Sequence, residues 1–490
     1  MKLKESVNIK SILFNNHTVK QTIFKNTFWL TVGMGADRLL KLILLIYAAR
    51  ILGATEYGKF NFALAFVSLF VVFHNFGLPR IVTREFSREE RKEEVFSVFS
   101  LKILLSLMFL ILILISTFLI TGDPAVQRII IILALFSLIN SFITILYAFF
   151  QAKQQMEYQA LGETLQALLV IGFGFFALFK FPSIENLSYS YLLGAFIALI
   201  VVLFFFYFKI SPLRIRWDKK VWHKFFKMSW PLALTGLFGA LFSNIDSAMM
   251  GFWGMHAETG WYNAAYRIIF VVIIPMGLIS GSFYPVLSKF FKESKEKIQR
   301  IWDYQMELMI LFAIPLIVGG ITLAPQIISY FYPSGFSASI LAFQILAFTA
   351  GGIFLYRPFY DILIASNQQK KIFWITLSGA IINIIFNLIL IPKYSLYGAA
   401  VATVITYFLV IMVSLIFTIK YTPVSPFRLN FLSVFILGTI ASFSMYFIII
   451  QPQIYNLNIF ISLLVGILTY SISVLVIKET NKLFKKLSFK

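Results

Sequence analysis

Charged side chains and cysteine are what this sequence has least of. Charged residues make up 13% of the 490 positions and cysteine is absent, whereas a soluble domain carries about 25% charged residues. Hydrophobic residues reach 59% and the mean hydropathy is +0.85, so the charges are too few to cover a water-facing surface. The composition excludes a soluble globular enzyme and a disordered chain, and it indicates an integral membrane protein.

Signatures of catalysis are also missing. The sequence contains no Walker A motif, which excludes ATP as the direct energy source, and its four histidines do not stand at metal-ligand spacing. Without cysteine there is neither a disulfide nor a thiolate metal site. No loop is long enough for the paired carboxylates of a membrane glycosyltransferase or polymerase. We therefore expect no catalytic activity, no metal and no resident cofactor.

Apolar windows of membrane-spanning length are abundant. A helix needs about 20 mostly apolar residues to cross about 30 Å of hydrocarbon. Fourteen such spans are predicted: 26–51, 58–79, 97–121, 126–150, 158–179, 187–208, 228–252, 262–288, 306–330, 338–365, 371–391, 397–419, 429–450 and 457–477. The predicted fold class is an all-α integral membrane protein with 14 transmembrane helices.

The placement of basic residues sets the orientation of these spans. With a cytoplasmic N-terminus, 32 of the 42 Lys and Arg residues fall in cytoplasmic segments. Only Lys59, Arg128, Lys180 and Lys393 fall in outside loops. This is the positive-inside bias, so both termini are predicted to be cytoplasmic in the cell membrane. The net charge of +21 then follows from topology and gives no reason to expect nucleic-acid binding.

An internal repeat suggests a duplicated bundle. Residues 56–63 match residues 258–265 at an offset of 202, with Glu, Gly, Asn and Ala identical. Two bundles of six helices would have the same orientation and would enclose a central cavity. The predicted organisation is a cytoplasmic N-terminal segment (1–25), a six-helix bundle (26–210), a basic cytoplasmic linker (211–227), a second, parallel-repeat six-helix bundle (228–420), two extra helices (421–477) and a basic cytoplasmic tail (478–490).

Three segments resemble those of a known family. They are Ala-Arg-Ile-Leu-Gly at 49–53 followed by Glu-Tyr-Gly at 56–58, Asp246 and Gly251 followed by Gly-Trp-Tyr-Asn-Ala-Ala-Tyr-Arg at 260–267, and Asn-Ile-Ile-Phe-Asn-Leu-Ile-Leu-Ile-Pro at 383–392 followed by Gly-Ala-Ala-Val-Ala-Thr at 398–403. Together they resemble the signatures of Wzx-type oligosaccharide-lipid flippases, over about residues 26–420.

The resemblance implies a function in surface polysaccharide (O-antigen type) biosynthesis. Such a flippase moves a polyprenyl-pyrophosphate-linked oligosaccharide from the cytoplasmic to the outer leaflet by alternating access. It acts as a monomer in the bilayer, beside polymerase and glycosyltransferase partners. The implied superfamily also holds multidrug/organic-cation antiporters and the peptidoglycan-precursor (lipid II) flippase, which remain the alternatives.

Ionisable residues within the spans are the predicted functional positions, since each costs about 2.5–3.5 kcal/mol at mid-bilayer unless it faces a cavity or a partner. Five cations are predicted to line a cavity for an anionic cargo: Arg38, Lys41, Arg50, Arg267 and Arg357. Arginine is suited to this task because its fork grips phosphate bidentately. The alternative is that these cations form inter-helix ion pairs. Lys102, Glu163 and Glu307 are expected to reach the cytoplasmic interface.

The deep acids are predicted to couple an ion or to hold structural pairs. Asp37 can pair with Lys41 four residues along one helix face, and Asp361 belongs to the same group. Asp246 with Asn244 could hold Na⁺ through oxygen ligands, or Asp246 could carry H⁺. The alternative for Asp246 is a salt bridge to Arg267.

Overall fold

The computed structural model describes residues 13–88, 96–213, 215–291 and 293–487. Its helices are α1 (Val19–Asn75), α2 (Leu78–Ser87), α3 (Ser97–Ile120), α4 (Pro124–Ala152), α5 (Met156–Lys180), α6 (Ile184–Lys209), α7 (Lys219–Phe252), α8 (His256–Val272), α9 (Ile274–Phe290), α10 (Lys295–Phe331), α11 (Ser339–Ala365), α12 (Gln369–Tyr421), α13 (Leu429–Ile449), α14 (Pro452–Tyr455) and α15 (Ile459–Leu487). Parts of the predicted segments 1–25 and 478–490 lie outside the described residues.

The architecture is all-helical, as predicted. The described ranges contain no strand. Twelve helical segments in them are long and apolar enough to cross a membrane, if α1 with α2 and α8 with α9 each count as one segment. The two longest are interrupted by a non-helical residue, Gly53 in α1 (φ 75°, ψ 175°) and Ser395 in α12 (φ 53°, ψ −133°). Both interruptions lie where the sequence separates two predicted spans. The count of fourteen crossings stays a prediction.

Contacts along α4 show that α1 is made of two legs. Lys25 Nζ donates to Gln154 O (3.0 Å), just beyond the end of α4. Lys59 Nζ lies 3.0 Å from Asp123 Oδ2, at the opposite end, where Asp123 caps α4. The first leg therefore runs along α4 to the break at Gly53, whose positive φ glycine adopts without steric cost.

The second leg returns in the opposite direction. Beyond α1, Thr83 Oγ1 donates to Ala148 O (3.2 Å), in the last turns of α4. The chain has thus travelled the length of α4 twice by the time it reaches α2. This second leg packs closely on α7, because a Cβ added at Gly251 would lie 2.0 Å from Cδ2 of Phe62.

α12 also folds back on itself. A Cβ added at Gly398 would lie 2.2 Å from the carbonyl oxygen of Leu390. Residues eight apart on a straight helix are about 12 Å apart along its axis, so the chain reverses around Ser395. The absence of a side chain at Gly398 permits this close approach of the two legs.

The chain divides into two compact units, Met1–Ala257 and Glu258–Lys490. The first contains α1 to α7, so α7 belongs with the N-terminal helices, whereas the sequence assigns 228–252 to the second bundle. The core of the first unit includes Phe149, which stacks on Phe99 with ring centroids 5.7 Å apart. The core of the second includes the fully buried Trp302. The predicted bundle boundaries stay predictions, because compactness is a different property from an internal repeat.

The loop before α4 carries a partly exposed ionic contact. Asp123 accepts hydrogen bonds from Lys59 Nζ (3.0 Å) and from the backbone N–H of Ala125 (2.9 Å). Burial raises the pKa of the Asp123 carboxyl, but these two hydrogen bonds and the Lys59 charge outweigh it and hold that pKa below its ordinary value. The Asp123 carboxylate therefore stabilises this end of the first unit wherever it is ionised.

Candidate functional site

Three charged residues stand together in the first leg of α1. Asp37 Oδ1 and Lys41 Nζ form an ion pair at 2.6 Å, with side chains 28% and 24% exposed. Arg38 points about 100° away from Asp37 on the same helix. Its side chain is exposed and forms no ion pair with any described residue. The leg therefore carries one internally neutralised pair and one unneutralised guanidinium.

The position of Arg38 along the first leg of α1 indicates whether its exposed side chain faces lipid or a polar cavity. It lies 13 residues after Lys25, which is about 20 Å along a helix, and Lys25 marks the end near Gln154. A guanidinium near the middle of a membrane-spanning leg is costly in lipid, so it normally faces water or a polar cargo. Arg38 is thus the cation that best matches the predicted cavity wall.

Glu163 lies beside this group, although the sequence predicts it at the cytoplasmic interface. Its carboxylate packs on the first leg of α1, since a Cβ added at Gly33 would lie 2.7 Å from Glu163 Oε2. Oε1 accepts a hydrogen bond from Gln159 Nε2 (2.9 Å), and Oε2 is buried without a hydrogen-bond partner. Gly33 is one turn from Asp37, so the acid lies against the charged segment, and its position relative to the membrane interface stays a prediction.

Lys102 does not reach the interface, which corrects the sequence expectation. Its side chain is completely buried, and Nζ donates to His74 O (2.6 Å) and Asn75 Oδ1 (3.0 Å). The ammonium thus lies at the C-terminal end of α1, where unsatisfied carbonyls favour a cation. Ser141 Oγ donates to the same Asn75 oxygen (3.0 Å). Asn75 is not among the residues predicted from the sequence, although a polar residue in an apolar span is a visible signal.

In the second unit, Arg357 and Asp361 belong to one buried cluster. Arg357 Nε lies 3.0 Å from Asp361 Oδ1 and donates to Ser280 Oγ (2.7 Å). Asp361 Oδ2 accepts from Ser280 Oγ (2.6 Å) and from Gln305 Nε2 (2.8 Å). The cluster joins α9, α10 and α11, and Asp361 is 2% exposed against 33% for Arg357.

This geometry favours the structural alternative for Asp361. Both of its oxygens are satisfied, as a buried carboxylate requires. Arg357 is held through Nε, whereas Nη1 and Nη2 donate no hydrogen bond to a described residue. Arg357 therefore combines a structural contact with two terminal groups that remain available. Sequence reasoning missed Ser280 and Gln305, which lack charge but complete the cluster.

The other predicted positions are less closely grouped. Arg50 is exposed near the end of the first leg of α1, and Arg267 is half-buried in α8. Asp246 is 4% exposed in α7, while Asn244 Nδ2 donates to Ala240 O of its own helix (3.0 Å). Side chains two apart on a helix do not face each other, so the structure does not bring Asn244 and Asp246 together. Because Asp246 belongs to the first unit and Arg267 to the second, their pairing stays a prediction.

The repeated octapeptides have the same local structure in both units. Asn61 Nδ2 donates to Tyr57 O (2.7 Å), and Asn263 Nδ2 donates to Thr259 O (2.9 Å), which are equivalent bonds four residues back. A glycine with positive φ precedes each copy, Gly53 (75°) and Gly254 (74°). The sequence match therefore includes the same asparagine-to-backbone hydrogen bond in both copies.

Each unit also contains a cavity. In the first unit, one cavity has a volume of about 570 Å³ and is lined by residues of α1, α2 and α7, including Asn75 and Arg80. Another, of about 240 Å³, is lined by residues of α1 and α4 and also includes Asn75. The one in the second unit has a volume of about 670 Å³ and is lined almost wholly by apolar side chains of α8 to α11, α13 and α15. No cluster of three or more potential metal ligands occurs among the described residues.

Comparisons with known proteins agree with this fold. A family model described as "Polysaccharide biosynthesis protein" matches residues 23–291, and a second, "MatE", matches residues 231–389. Lipid II flippase MurJ, in an inward closed conformation, superposes with a TM-score of 0.77 at 18% identity, covering 92% of this chain and 98% of MurJ. An inward-facing MATE family transporter of the MOP superfamily superposes with a TM-score of 0.64 at 15% identity, covering 82% and 95%. The fold is that of a multi-helix membrane transporter.

The first family model spans more than half of the chain, and the chain belongs to the polysaccharide biosynthesis protein family. This confirms the family resemblance read from the sequence. Among curated relatives, the probable low-salt glycan biosynthesis flippase Agl15 of Haloferax volcanii is 24% identical over 373 residues, covering 74% of this chain and 76% of the relative. The capsular polysaccharide biosynthesis protein CapF of Staphylococcus aureus is 21% identical over 402 residues, covering 79% and 97%.

Proposed function

We propose that the protein is a flippase for a polyprenyl-pyrophosphate-linked oligosaccharide, moving it from the cytoplasmic to the outer leaflet for surface polysaccharide biosynthesis. Family membership and the names of relatives such as Agl15 and CapF support a glycan cargo. The observation that carries an anionic cargo is Arg38, an exposed guanidinium in mid-leg with no ion pair among the described residues. A pyrophosphate supplies the charge that such a guanidinium lacks, through two parallel hydrogen bonds.

The second unit supports a lipid carrier. Its cavity of about 670 Å³ includes Tyr470 and Ser471, but the remaining wall is mostly aliphatic and aromatic. α13 and α15 contribute to this wall, and the sequence predicts them as additions to the two six-helix bundles. An isoprenoid chain would gain about 25 cal/mol for each Å² of apolar surface removed from water. A polyprenyl tail fits this surface, whereas a soluble sugar does not.

An organic-cation antiporter is the second candidate, because the MatE family model matches residues 231–389. That cargo would require unpaired acids in the cavity. In the described structure Asp37 and Asp361 are both paired with cations, while Arg38 is not. Glu163 also forms no ion pair with a described residue, but its Oε2 is buried, whereas Arg38 is exposed. The exposed unpaired charge therefore favours the anionic cargo. Lipid II, the third possibility, shares the pyrophosphate, so only the exported glycan distinguishes it.

The energy source follows from the charge of the cargo. An anionic headgroup moving outward is favoured by an inside-negative potential, at about 2.3 kcal/mol per charge per 100 mV. We propose that this potential drives transport and that H⁺ or Na⁺, if coupled, binds at the buried Asp246 without Asn244. Transport in proteoliposomes would then respond to an H⁺ or Na⁺ gradient, and Asp246→Asn would remove that response.

The proposed function is tested by Arg38→Ala in a strain that depends on this protein for surface glycan. Losing a hydrogen bond to a charged group costs about 1.5–3 kcal/mol, so export should fall by about 10- to 150-fold while the protein level in the membrane is unchanged. Arg38→Lys should restore part of the activity, since it keeps the charge but lacks the fork. The matched control is Arg128→Ala, an exposed arginine lying 3.5 Å from Glu185, which should export normally. Normal export by Arg38→Ala would contradict the proposal, and drug resistance without glycan export would favour the antiporter.

A further inference from the structure

We propose that Asn75 and Arg80 form a second oxyanion-binding site in the first unit, at the end of α1 next to α2. The site rests on the proposed function, because it assigns the pyrophosphate of the lipid-linked cargo as the ligand. Both residues line the cavity of about 570 Å³, with Leu232 and Thr235 of α7 on its other side. Neither residue is among the cavity residues predicted from the sequence.

The orientation of the Asn75 amide is fixed by its neighbours. Lys102 Nζ lies 3.0 Å and Ser141 Oγ 3.0 Å from the same side-chain oxygen. Both neighbours donate a hydrogen bond to this atom, which is therefore the acceptor of the amide, its oxygen. Two donors occupy the two lone pairs of that oxygen. Asn75 Nδ2 is consequently turned away from Lys102 and Ser141.

Asn75 lines this cavity and a smaller one of about 240 Å³ that also includes Ser141. Since Nδ2 is turned away from Ser141, we assign its two N–H groups to the larger cavity. Nδ2 makes no hydrogen bond within the described residues, and it is not among their buried unsatisfied atoms. It is therefore an accessible donor in a cavity wall. Lys102 is completely buried and, with Ser141, occupies the oxygen side of the Asn75 amide. The positive end of the amide dipole is therefore directed away from them, where it attracts an anion and repels a cation.

Arg80 adds a second donor to the same cavity. Its side chain is exposed and forms no ion pair with a described residue. The neighbouring Arg84, by contrast, lies 3.0 Å from Glu85 Oε1. Arg80 and Asn75 thus present only donors, as a phosphate or pyrophosphate oxygen requires. The apolar remainder of the wall, including Phe76 and Leu232, suits the first isoprene units attached to that headgroup.

The position agrees with the route of the cargo. Asn75 ends α1, and Thr83 shortly beyond it contacts the end of α4 that lies near Lys25. The predicted topology places this end at the cytoplasmic surface. Arg38 lies deeper, in the middle of the first leg of α1. We infer that Asn75 and Arg80 capture the headgroup on the cytoplasmic side before it reaches Arg38.

The test uses the full-length protein in nanodiscs with farnesyl pyrophosphate as the probe. Asn75→Asp keeps the oxygen that Lys102 and Ser141 require but replaces the N–H donors by a charged acceptor. It should weaken binding of the probe at least tenfold, while the thermal stability is unchanged or higher because Lys102 gains a carboxylate. Arg80→Gln should also weaken binding at least tenfold. The matched control Arg88→Gln removes an exposed arginine that lies 3.7 Å from Glu85 and should bind within twofold of wild type.

Several outcomes would overturn the inference. Unchanged binding in Asn75→Asp or Arg80→Gln would show that these donors do not contact the ligand, and a joint loss of stability and binding in Asn75→Asp would assign Asn75 a purely structural role. Inorganic pyrophosphate should bind more weakly than the farnesyl probe, and equal binding would contradict the assignment to a lipid-linked cargo. Wild-type glycan export is measured in parallel. If wild type fails to export glycan but the probe binds through Asn75 and Arg80, the proposed function fails and the oxyanion site stands.

Discussion

Removing the Arg357 guanidinium should destabilise the second unit measurably. Breaking a buried ion pair by deleting one partner costs about 3–5 kcal/mol. Arg357 is 33% exposed, so solvent screening reduces this cost. Ser280 and Gln305 still donate to the Asp361 carboxylate, which reduces it further. We expect Arg357→Ala to lower the free energy of unfolding by about 2–3 kcal/mol.

A double-mutant cycle separates this contact from general damage. Asp361→Asn keeps the shape of the side chain and leaves Arg357 access to solvent, so we expect a smaller loss of about 1 kcal/mol. The double variant should lose about 1–2 kcal/mol less than the sum of the two single changes, because contacting residues are not additive. The free energy can be measured by SDS titration in mixed micelles through tryptophan fluorescence. Trp302 is a local reporter, since its Nε1 donates to Pro358 O (3.1 Å) beside the cluster.

The control for this experiment is the pair Arg428–Asp303 in the same unit. Its atoms are 3.5 Å apart and its side chains are 44% and 12% exposed, so Arg428→Ala should cost less than about 1 kcal/mol. The contact does not stabilise the second unit if Arg357→Ala unfolds like wild type, or if the single changes add to within about 0.5 kcal/mol.

Three further predictions follow from the packing, the topology and the loop before α4. Gly251→Ala should lower the free energy of unfolding by about 1–3 kcal/mol. Gly239→Ala in the same helix should be neutral or stabilising, because a Cβ there meets no atom within 4 Å. Equal effects of the two changes would contradict the packing of α1 on α7. A single cysteine at Ser334 should react with an impermeant thiol reagent outside sealed cells and one at Lys295 should not, and labelling at Lys295 would contradict the predicted topology. Asp123→Asn should be less stable than wild type at neutral pH, because the lowered pKa of Asp123 contributes stability above its unfolded value of about 3.9. That difference in unfolding free energy should vanish as the pH falls through the lowered pKa, and a difference that persists in acid would assign the effect to packing.

Much of the fold could be predicted because helices that span a membrane are specified locally. Apolar length alone indicates each helix, and the basic residues indicate orientation. The breaks at Gly53 and Ser395 fall between predicted spans for the same reason: the sequence there is too polar to continue a crossing. The assignment of α7 to the first compact unit could not be predicted, since it depends on contacts such as Gly251 with Phe62 that no linear pattern encodes.

The candidate site was less predictable than the fold, because the sequence shows which residues are charged but not which of them form ion pairs. Arg38 and Arg357 look alike as arginines in apolar spans, yet one is unpaired among the described residues and the other is held by Asp361. The expectation for Lys102 is wrong because a residue close to a helix end can still be buried by other helices. Lys102 donates to acceptors at the end of α1, and only the tertiary fold brings His74 O within hydrogen-bonding distance.

The hydrogen bonds that Lys102, Arg357 and Arg38 donate to the protein predict how much each residue contributes to stability and to transport. Lys102 donates to two buried protein acceptors, so replacing it should cost the most stability. Arg357 donates hydrogen bonds to described residues only through Nε, and its loss should affect stability and transport together. Arg38 makes no ion pair among the described residues, so its loss should affect transport with the smallest cost to stability, about 0.5 kcal/mol or less as for other exposed substitutions. Measured unfolding free energies for Lys102→Met, Arg357→Ala and Arg38→Ala should follow that order, and a large loss in Arg38→Ala would identify it as a structural residue.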